Sequence, residues 1–392
     1  MRSRLSPSIF FHVVTRAPDL LPKVTRFLLR KKFGADRDVR RGDGISSKPP
    51  YMVSLRITNA CNHRCPVCGQ YGAYGYMGES EKRKALLKTL PVEVYRKMVD
   101  DLSFYRPFYY ATGGEPFLYP GIVELLNYAK AKGSSVFIVT NGVKLQEHAE
   151  EIVRNEWDLL VVSLDGPEEV HDECRRTKGA YRTLMEGITA VREWRSRLGK
   201  ARPFIVTSTT LSRKNAECLD ETYEMGRTLN PDIMAVFLSW FTSEQLGEAQ
   251  HKLLREALGV DAFTWKAYAR EFSLEDANLF MDAMAQADSK KWPFERLVIP
   301  SLRGTDVRDY YLEPAKMFGF SRCVTPFLEV NVMPNGDVVT CRDYIDVKVG
   351  NISEDGLLDI WNNEGFRKFR RLLIEKGGLL PQCTRCCGLM GF

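Results

Sequence analysis

From Tyr51 onward the chain alternates between two periodicities, and this alternation limits its fold more than any other feature. Apolar or aromatic runs at 51–58, 107–112, 135–140, 158–164, 203–211 and 232–240 read as strands. Helical patterns fill the intervals, near 91–103, 120–132, 144–155, 180–198 and 214–229. Six strands alternating with helices predict a parallel sheet with right-handed crossovers, an α/β architecture.

The first strand runs into Cys61-Asn-His-Arg-Cys65-Pro-Val-Cys68, three thiols within eight residues. Three cysteines on one loop can ligate three irons of a [4Fe-4S] cube and leave the fourth iron open to a small molecule. A structural zinc site would instead need four closed ligands. The C-x3-C-x2-C spacing resembles that of the radical SAM enzymes. The resemblance implies that the open iron chelates S-adenosylmethionine, whose reductive cleavage gives a 5′-deoxyadenosyl radical that takes a hydrogen atom from a substrate. It also implies a partial (β/α)6 TIM-like barrel with its chemistry at the C-terminal mouths of the strands. One departure is Val67, where the family usually has an aromatic residue before the third cysteine.

Other strand ends extend the resemblance. The second ends in Thr112-Gly113-Gly114-Glu115-Pro116, and two glycines let a ligand approach the backbone closely. In the family a GGEP-like segment binds the methionine amino group of the cofactor, which implies that role for Gly113, Gly114 and Glu115. The third ends in Thr140-Asn141-Gly142, a segment that lies near the cofactor ribose in relatives. The fourth reads Ser163-Leu-Asp-Gly-Pro167 and then His171-Asp-Glu-Cys-Arg175, close to a pattern of peptide- and sulfatase-maturing relatives. It implies Ser163 and Arg175 as cofactor contacts, with Arg176 the alternative to Arg175. His171 and Asp172 read as a helix-capping pair rather than a general base, and Cys174 and Cys218 as packing residues. Trp240 and Phe241, after the sixth strand, are candidates for touching substrate. The catalytic side chain itself is not identifiable from the sequence.

The C-terminal region holds a second cysteine set. Cys323 is followed by twelve residues, Gly336, four residues and Cys341, with Asn335-Gly336 a hairpin signal between two short apolar runs. Helix at 356–361 and then at 366–374, followed by Cys383-Thr-Arg-Cys386-Cys387, closes the chain. Four thiolates in two pairs can close either a zinc site or a [4Fe-4S] cluster. The pattern resembles the twitch module, the shortened SPASM domain, and this implies one auxiliary [4Fe-4S] cluster on Cys323, Cys341, Cys383 and Cys386. Cys387 is the alternative to Cys386.

Bulk properties limit the rest. In 392 residues, 44% hydrophobic and 27% charged residues are typical of a soluble globular protein. Seven of ten cysteines fall into the two spaced sets, which points to metal in a reducing cytoplasm rather than to disulfides. Residues 1–50 carry twelve Lys and Arg against four Asp and Glu, a charge of +8, which leaves −2 for the remainder of a chain of net +6. The body therefore offers no nucleic-acid face. Leu20 to Phe33 reads as a basic amphipathic helix that either packs on the outside of the barrel or lies on an anionic membrane, the inner face of the cell membrane. Ile9-Phe10-Phe11 is an apolar patch before it, and 34–50 reads as a linker.

The expected architecture is therefore four segments: a basic helix and linker at 1–50, a partial barrel at 51–245, a helical insertion at 246–320 and a small hairpin-and-helix iron–sulfur module at 321–392. The expected reaction is a two-electron oxidation of a small molecule (sugar-, cyclitol- or lipid-like), with the auxiliary cluster accepting an electron and a flavodoxin or ferredoxin as reductant. The alternatives are a peptide- or protein-modifying maturase and a non-catalytic zinc-binding scaffold.

Overall fold

In the computed structural model, residues 15, 18–78, 86–386 and 389 are described. The patch Ile9-Phe10-Phe11 and the alternative ligand Cys387 lie outside these residues. Six strands follow the periodicity: β1 (Met52–Thr58), β2 (Phe108–Gly113), β3 (Ser135–Thr140), β4 (Leu159–Ser163), β5 (Phe204–Thr210) and β6 (Ile233–Phe237). Each pairs in parallel with the next in sequence. Helices return the chain between them: α3 (Val92–Leu102), α4 (Ile122–Ala131), α5 (Leu145–Arg154), α6 (Glu168–Arg175), α7 (Ala180–Leu198), α8 (Arg213–Ala216) and α9 (Leu219–Leu229). Two earlier helices, α1 (Leu21–Leu29) and α2 (Asp36–Arg41), precede the sheet.

The strands alternate sides as a two-residue period requires. Val53, Leu55 and Ile57 of β1, Tyr109 and Ala111 of β2, and Val136 and Ile138 of β3 join the helices in one large core. Met52, Arg56, Tyr110, Phe137, Leu159, Val161 and Phe237 face the opposite way and line an internal cavity of about 610 Å³. The sheet is thus a curved wall with an apolar outer core and a hollow concave side.

Three departures from the sequence reading shape that hollow. First, the insertion is not wholly helical. Besides α10 (Glu244–Leu258), α11 (Leu274–Asp288) and α12 (Thr305–Leu312) it contributes a seventh parallel strand, β7 (Glu295–Ile299), which pairs Ile233 with Glu295. Five residues beginning Glu-Arg give little apolar alternation, so only the free edge of β6 defines this strand. Second, the C-terminal module joins the barrel sheet directly. β8 (Glu329–Val332) pairs in parallel with β1, Met52 opposite Glu329, and β9 (Asp337–Val339) and β10 (Lys348–Asn351) continue antiparallel. Helices α13 (Leu357–Trp361) and α14 (Glu364–Glu375) follow.

Third, the leader is the floor of the barrel rather than a helix on its outer side. Lys23 Nζ donates to Ser135 Oγ at the start of β3 (2.7 Å), Asp19 pairs with Arg202 just before β5 (2.5 Å), and Phe27 meets Tyr51 with ring centroids 5.0 Å apart. All three contacts lie at the N-terminal ends of strands. Helix continues beyond Phe33, through a π-helical stretch Arg30–Ala35 into α2, and stops at Gly42 in the left-handed region (φ 79°). The linker is thereby shortened to 42–50. The fully buried Arg370 of α14 ties leader to module, donating to the carbonyls of Gly44 (3.2 Å) and Pro326 (2.7 Å) and to Asn362 Oδ1 (2.9 Å).

Candidate active site

The loop that leaves β1 is fixed at both ends. Buried Asn59 donates to the Leu86 carbonyl (2.7 Å) and accepts from Gln70 Nε2 (2.9 Å), while its own carbonyl accepts from the Tyr71 hydroxyl (2.5 Å). Cys61, Cys65 and Cys68 line one cavity of about 320 Å³ at the strand mouths. Each sulfur accepts a hydrogen bond: Cys61 from His63 N (3.4 Å), Cys68 from Gln70 N (3.3 Å) and Cys65 from Arg175 Nη1 (3.7 Å). Burial pushes the Cys61 thiol up to about 11 and raises Cys65 as well.

The same cavity is lined by Gly113, Gly114, Glu115, Thr140, Asn141, Ser163 and Arg175, contributed by the ends of β2, β3, β4 and α6. The backbone of the cysteine loop also makes a demand on the two glycines. A Cβ on Gly113 would meet the Thr58 carbonyl oxygen at 2.3 Å, and one on Gly114 would meet that of Ala60 at 2.1 Å. They let β2 dock against the backbone of the cysteine loop, where Gly114 N donates to Thr58 O (2.7 Å) and Glu115 N to Ala60 O (2.8 Å).

Glu115 joins this strand end to the next. Its carboxylate accepts from Phe117 N (3.1 Å), Thr140 Oγ1 (2.7 Å) and Asn141 N (2.7 Å), and burial raises it to about 7. Asn141 Nδ2 in turn donates to Asn62 Oδ1 inside the cysteine loop (2.8 Å). Arg175 faces the cavity, whereas Arg176 ends α6 in the left-handed region and is exposed. The Arg175 guanidinium pairs with buried Asp165 (2.6 Å), and its Nε is buried without a hydrogen-bond partner.

His171 accepts from Asp165 N (3.1 Å), and Asp172 accepts from Gly179 N (2.5 Å) and Tyr181 N (2.8 Å), which caps the start of α7. Cys174 is buried, and the Cys218 thiol donates to the Asn215 carbonyl. Trp240 reaches the cavity, but Phe241 is buried among Phe272, Tyr310 and Tyr311 and lines neither cavity.

Several lining residues were not anticipated. His63, inside the cysteine loop, bonds Thr177 Oγ1 (2.8 Å), and burial beside Arg175 pulls it down to about 4. Tyr268 and Arg270 arrive from the insertion. The Tyr268 and Trp240 ring centroids lie 3.8 Å apart with the rings tilted, and the Trp240 and Tyr344 centroids 5.2 Å apart edge to face. Tyr344 N donates to Cys341 Sγ (3.5 Å), so this aromatic group spans from the first cysteine loop to the second cysteine set. Gly69, just after the first motif, adjoins this wall: a Cβ there would fall 1.9 Å from the Tyr268 hydroxyl.

The second set sits where the two largest apolar clusters meet. Burial raises Cys323 and Cys341 and pushes Cys383 up to about 12, and charge on Cys323 raises Cys383 further. Cys383 Sγ accepts from Leu380 N (3.4 Å), and the Cys386 thiol donates to Asp343 Oδ2 (3.2 Å). Arg385 anchors this loop, donating to the carbonyls of Tyr310, Lys316, Glu313 and Thr384 at 2.5–2.7 Å. Cys323 also lines the 610 Å³ hollow, and Thr112 lines both cavities, so the hollow lies between the two cysteine sets. At that wall Arg56 donates to the Arg342 carbonyl (3.1 Å), and Arg342 lies 3.8 Å from Glu329, whose Oε1 is buried with no hydrogen-bond partner.

Residues 55–225 match the radical SAM superfamily, and residues 323–387 match the SPASM iron–sulfur cluster-binding domain. An AdoMet-dependent heme synthase of Methanosarcina barkeri is 28% identical over 356 residues, covering 86% of this chain and 90% of the relative. The mycofactocin maturase MftC of Mycobacterium tuberculosis is 24% identical over 354 residues, covering 87% and 76%. Among solved structures, Streptococcus suis SuiB bound to S-adenosylmethionine superposes with a TM-score of 0.59 at 15% identity, covering 97% of this chain and 87% of that one.

These domains imply [4Fe-4S] clusters and S-adenosylmethionine, and the residues present fit them. Among the described residues no three His, Cys, Asp or Glu side chains are grouped to hold a metal ion. Three hydrogen-bonded thiols around one cavity suit the separated corners of a cube instead. The orphaned Arg175 Nε gives that cavity a buried cationic donor for an anionic ligand.

Proposed function

The chain is a radical SAM enzyme with a SPASM iron–sulfur domain, and we propose that it oxidises a compact lipid-like molecule by two electrons inside the barrel hollow. In this reading Cys61, Cys65 and Cys68 hold the first cluster. Cys323, Cys341, Cys383 and Cys386 hold an auxiliary one. Gly113, Gly114, Glu115, Thr140, Asn141, Ser163 and Arg175 surround S-adenosylmethionine. When bound, these groups supply hydrogen-atom abstraction at one side of the hollow and an acceptor for the second electron at the other.

The chain's own residues supply position and shielding. Glu115 locks β2 to β3 and so fixes the backbone that meets the cofactor. Arg175 offers its free Nε to a carboxylate while Asp165 holds its other edge. Phe27 and Lys31 of the leader close the floor against water. The observation that carries the reading is the hollow itself. It has about 610 Å³, the size of a small-molecule site, and lies between Thr112 at the first cavity and Cys323. Met52, Phe137, Leu159, Val161 and Phe237 favour an apolar body over a sugar or cyclitol, and Arg56, Arg342 and Glu329 suit one polar or anionic end. A relative named as an AdoMet-dependent heme synthase is consistent with a small-molecule rather than a peptide substrate.

A peptide side chain is the second reading, favoured by the mycofactocin maturase among the relatives. A flavodoxin or ferredoxin is the proposed reductant, and the cytoplasm the proposed location. Among the described residues no helix is long and apolar enough to cross a membrane.

The test is anaerobic 5′-deoxyadenosine formation with a lipid extract, an aqueous small-molecule fraction or a peptide fraction added. The lipid fraction should stimulate it and give a product two hydrogens lighter. Val161→Trp, which fills the hollow, should remove the stimulation and leave uncoupled cofactor cleavage. Stimulation by peptides that survives Val161→Trp, or an adenosylated or isomeric product, would overturn the proposal.

A further inference from the structure

We propose that the floor of the barrel docks on an anionic phospholipid bilayer, through Leu29, Phe33 and Phe104 set between Arg30, Arg37 and Lys48. The inference stands on surface geometry and does not depend on which substrate the hollow takes. One side of the leader helix, with Phe27 and Lys31, faces the hollow. The other carries Leu21, Thr25, Leu29, Phe33 and Arg37 at four-residue spacing, one stripe of a helix. That stripe lines a surface groove of about 840 Å³, whose far wall is Phe104, Tyr105 and Pro107. Pro107 immediately precedes β2, so the groove lies at the N-terminal ends of the strands, away from the cysteine loops at the mouth.

Phe104 is 88% exposed, Phe33 59% and Leu29 53%. Isolated exposed apolar residues are ordinary, but several large ones around one groove mark an interaction site. Among the described residues, Arg26, Arg30, Arg37 and Lys48 make no ion pair with a carboxylate, and Arg37 Nη2 donates to the neutral Ser47 Oγ (3.5 Å). Asp38, the carboxylate that acts on Arg30, is turned to Arg41 (3.3 Å) and to Ser47 N (2.9 Å). Cations without a carboxylate partner among the described residues, interleaved with exposed aromatic and aliphatic side chains, match the headgroup layer of an acidic membrane. The +8 charge of residues 1–50 adds long-range attraction of the same sign.

The experiment is co-sedimentation of the full chain with vesicles of phosphatidylcholine alone or mixed equally with phosphatidylglycerol. The chain should bind the mixed vesicles, and added salt should weaken it. The variant Arg30→Gln/Arg37→Gln/Lys48→Gln should bind on the order of a hundredfold more weakly, since each cation near an acidic surface contributes about 1 kcal/mol. Phe104→Asp, at a side chain too exposed to matter for folding, should weaken binding at least about tenfold. Unfolding midpoint and iron content are checked for each variant. Failure to bind mixed vesicles, or equal binding to phosphatidylcholine alone, would overturn the proposal. So would undiminished binding by Phe104→Asp, which would place any contact on another surface.

Discussion

Gly114→Ala should separate the cysteine loop from the strand that supports it. The added Cβ would lie 2.1 Å from the Ala60 carbonyl oxygen and 2.8 Å from that of Asn59. Both are backbone atoms and cannot rotate away. Restoring a normal contact moves one backbone by about 1 Å or more. That movement breaks the bonds from Gly114 N to Thr58 O and from Glu115 N to Ala60 O, 2.7 and 2.8 Å long. Buried backbone groups left unpaired cost about 1–3 kcal/mol each, so the loss should be about 2–5 kcal/mol. A displacement of about 1 Å at the site should also slow 5′-deoxyadenosine formation about a hundredfold. The assays are urea unfolding of the anaerobic, reduced chain and cofactor cleavage by the reconstituted one. Gly34→Ala is the control, since its Cβ would meet nothing nearer than 3.4 Å. If Gly114→Ala unfolds within about 0.5 kcal/mol of the wild type and cleaves cofactor at the same rate, the docking argument is wrong.

Glu115 gives a pH signature. Its folded value, near 7, lies above the ordinary 4.5. Its stabilising contribution is therefore full below pH 4.5 and is lost as pH rises through 7, and Glu115→Gln should flatten the unfolding free energy across that window. Arg175→Met should cost about 3–5 kcal/mol by leaving buried Asp165 uncompensated, and Asp165→Asn added to it should recover part of that loss; a double variant no more stable than the single one would count against the pair. Arg385→Lys cannot serve four carbonyls at once, so it should lower iron bound by the second cysteine set, read by iron content in a background lacking Cys61, Cys65 and Cys68. Cys386→Ser should remove the auxiliary cluster and Cys387→Ser should not, which metal analysis of the two variants decides.

The barrel strands were legible because their apolar runs alternate with helical patterns, and the first four each end in a motif. Val53, Leu55 and Ile57 followed by Cys61 is one such unit, and Leu160 and Val162 followed by Ser163 another. The edges of the sheet were not legible. β7 begins with two charged residues, and nothing in Glu329–Val332 states that its partner is β1, nearly 280 positions earlier in the chain. Arg175 could be read from its motif, but Tyr268 and Arg270 could not, since they reach the cavity only through the path of the insertion. The basic leader showed its amphipathic face plainly. Which part faced inward depended on Tyr51, Ser135 and Arg202, residues scattered along the barrel floor.

The central claim is that the barrel hollow is flanked by two four-iron sites. Iron, acid-labile sulfide and zinc per chain should be measured after anaerobic reconstitution, in the wild type and in a Cys61→Ala/Cys65→Ala/Cys68→Ala variant. The account predicts about eight irons with equal sulfide and no zinc in the wild type, falling to about four in the variant. About four irons with one zinc in the wild type, and zinc alone in the variant, would contradict it.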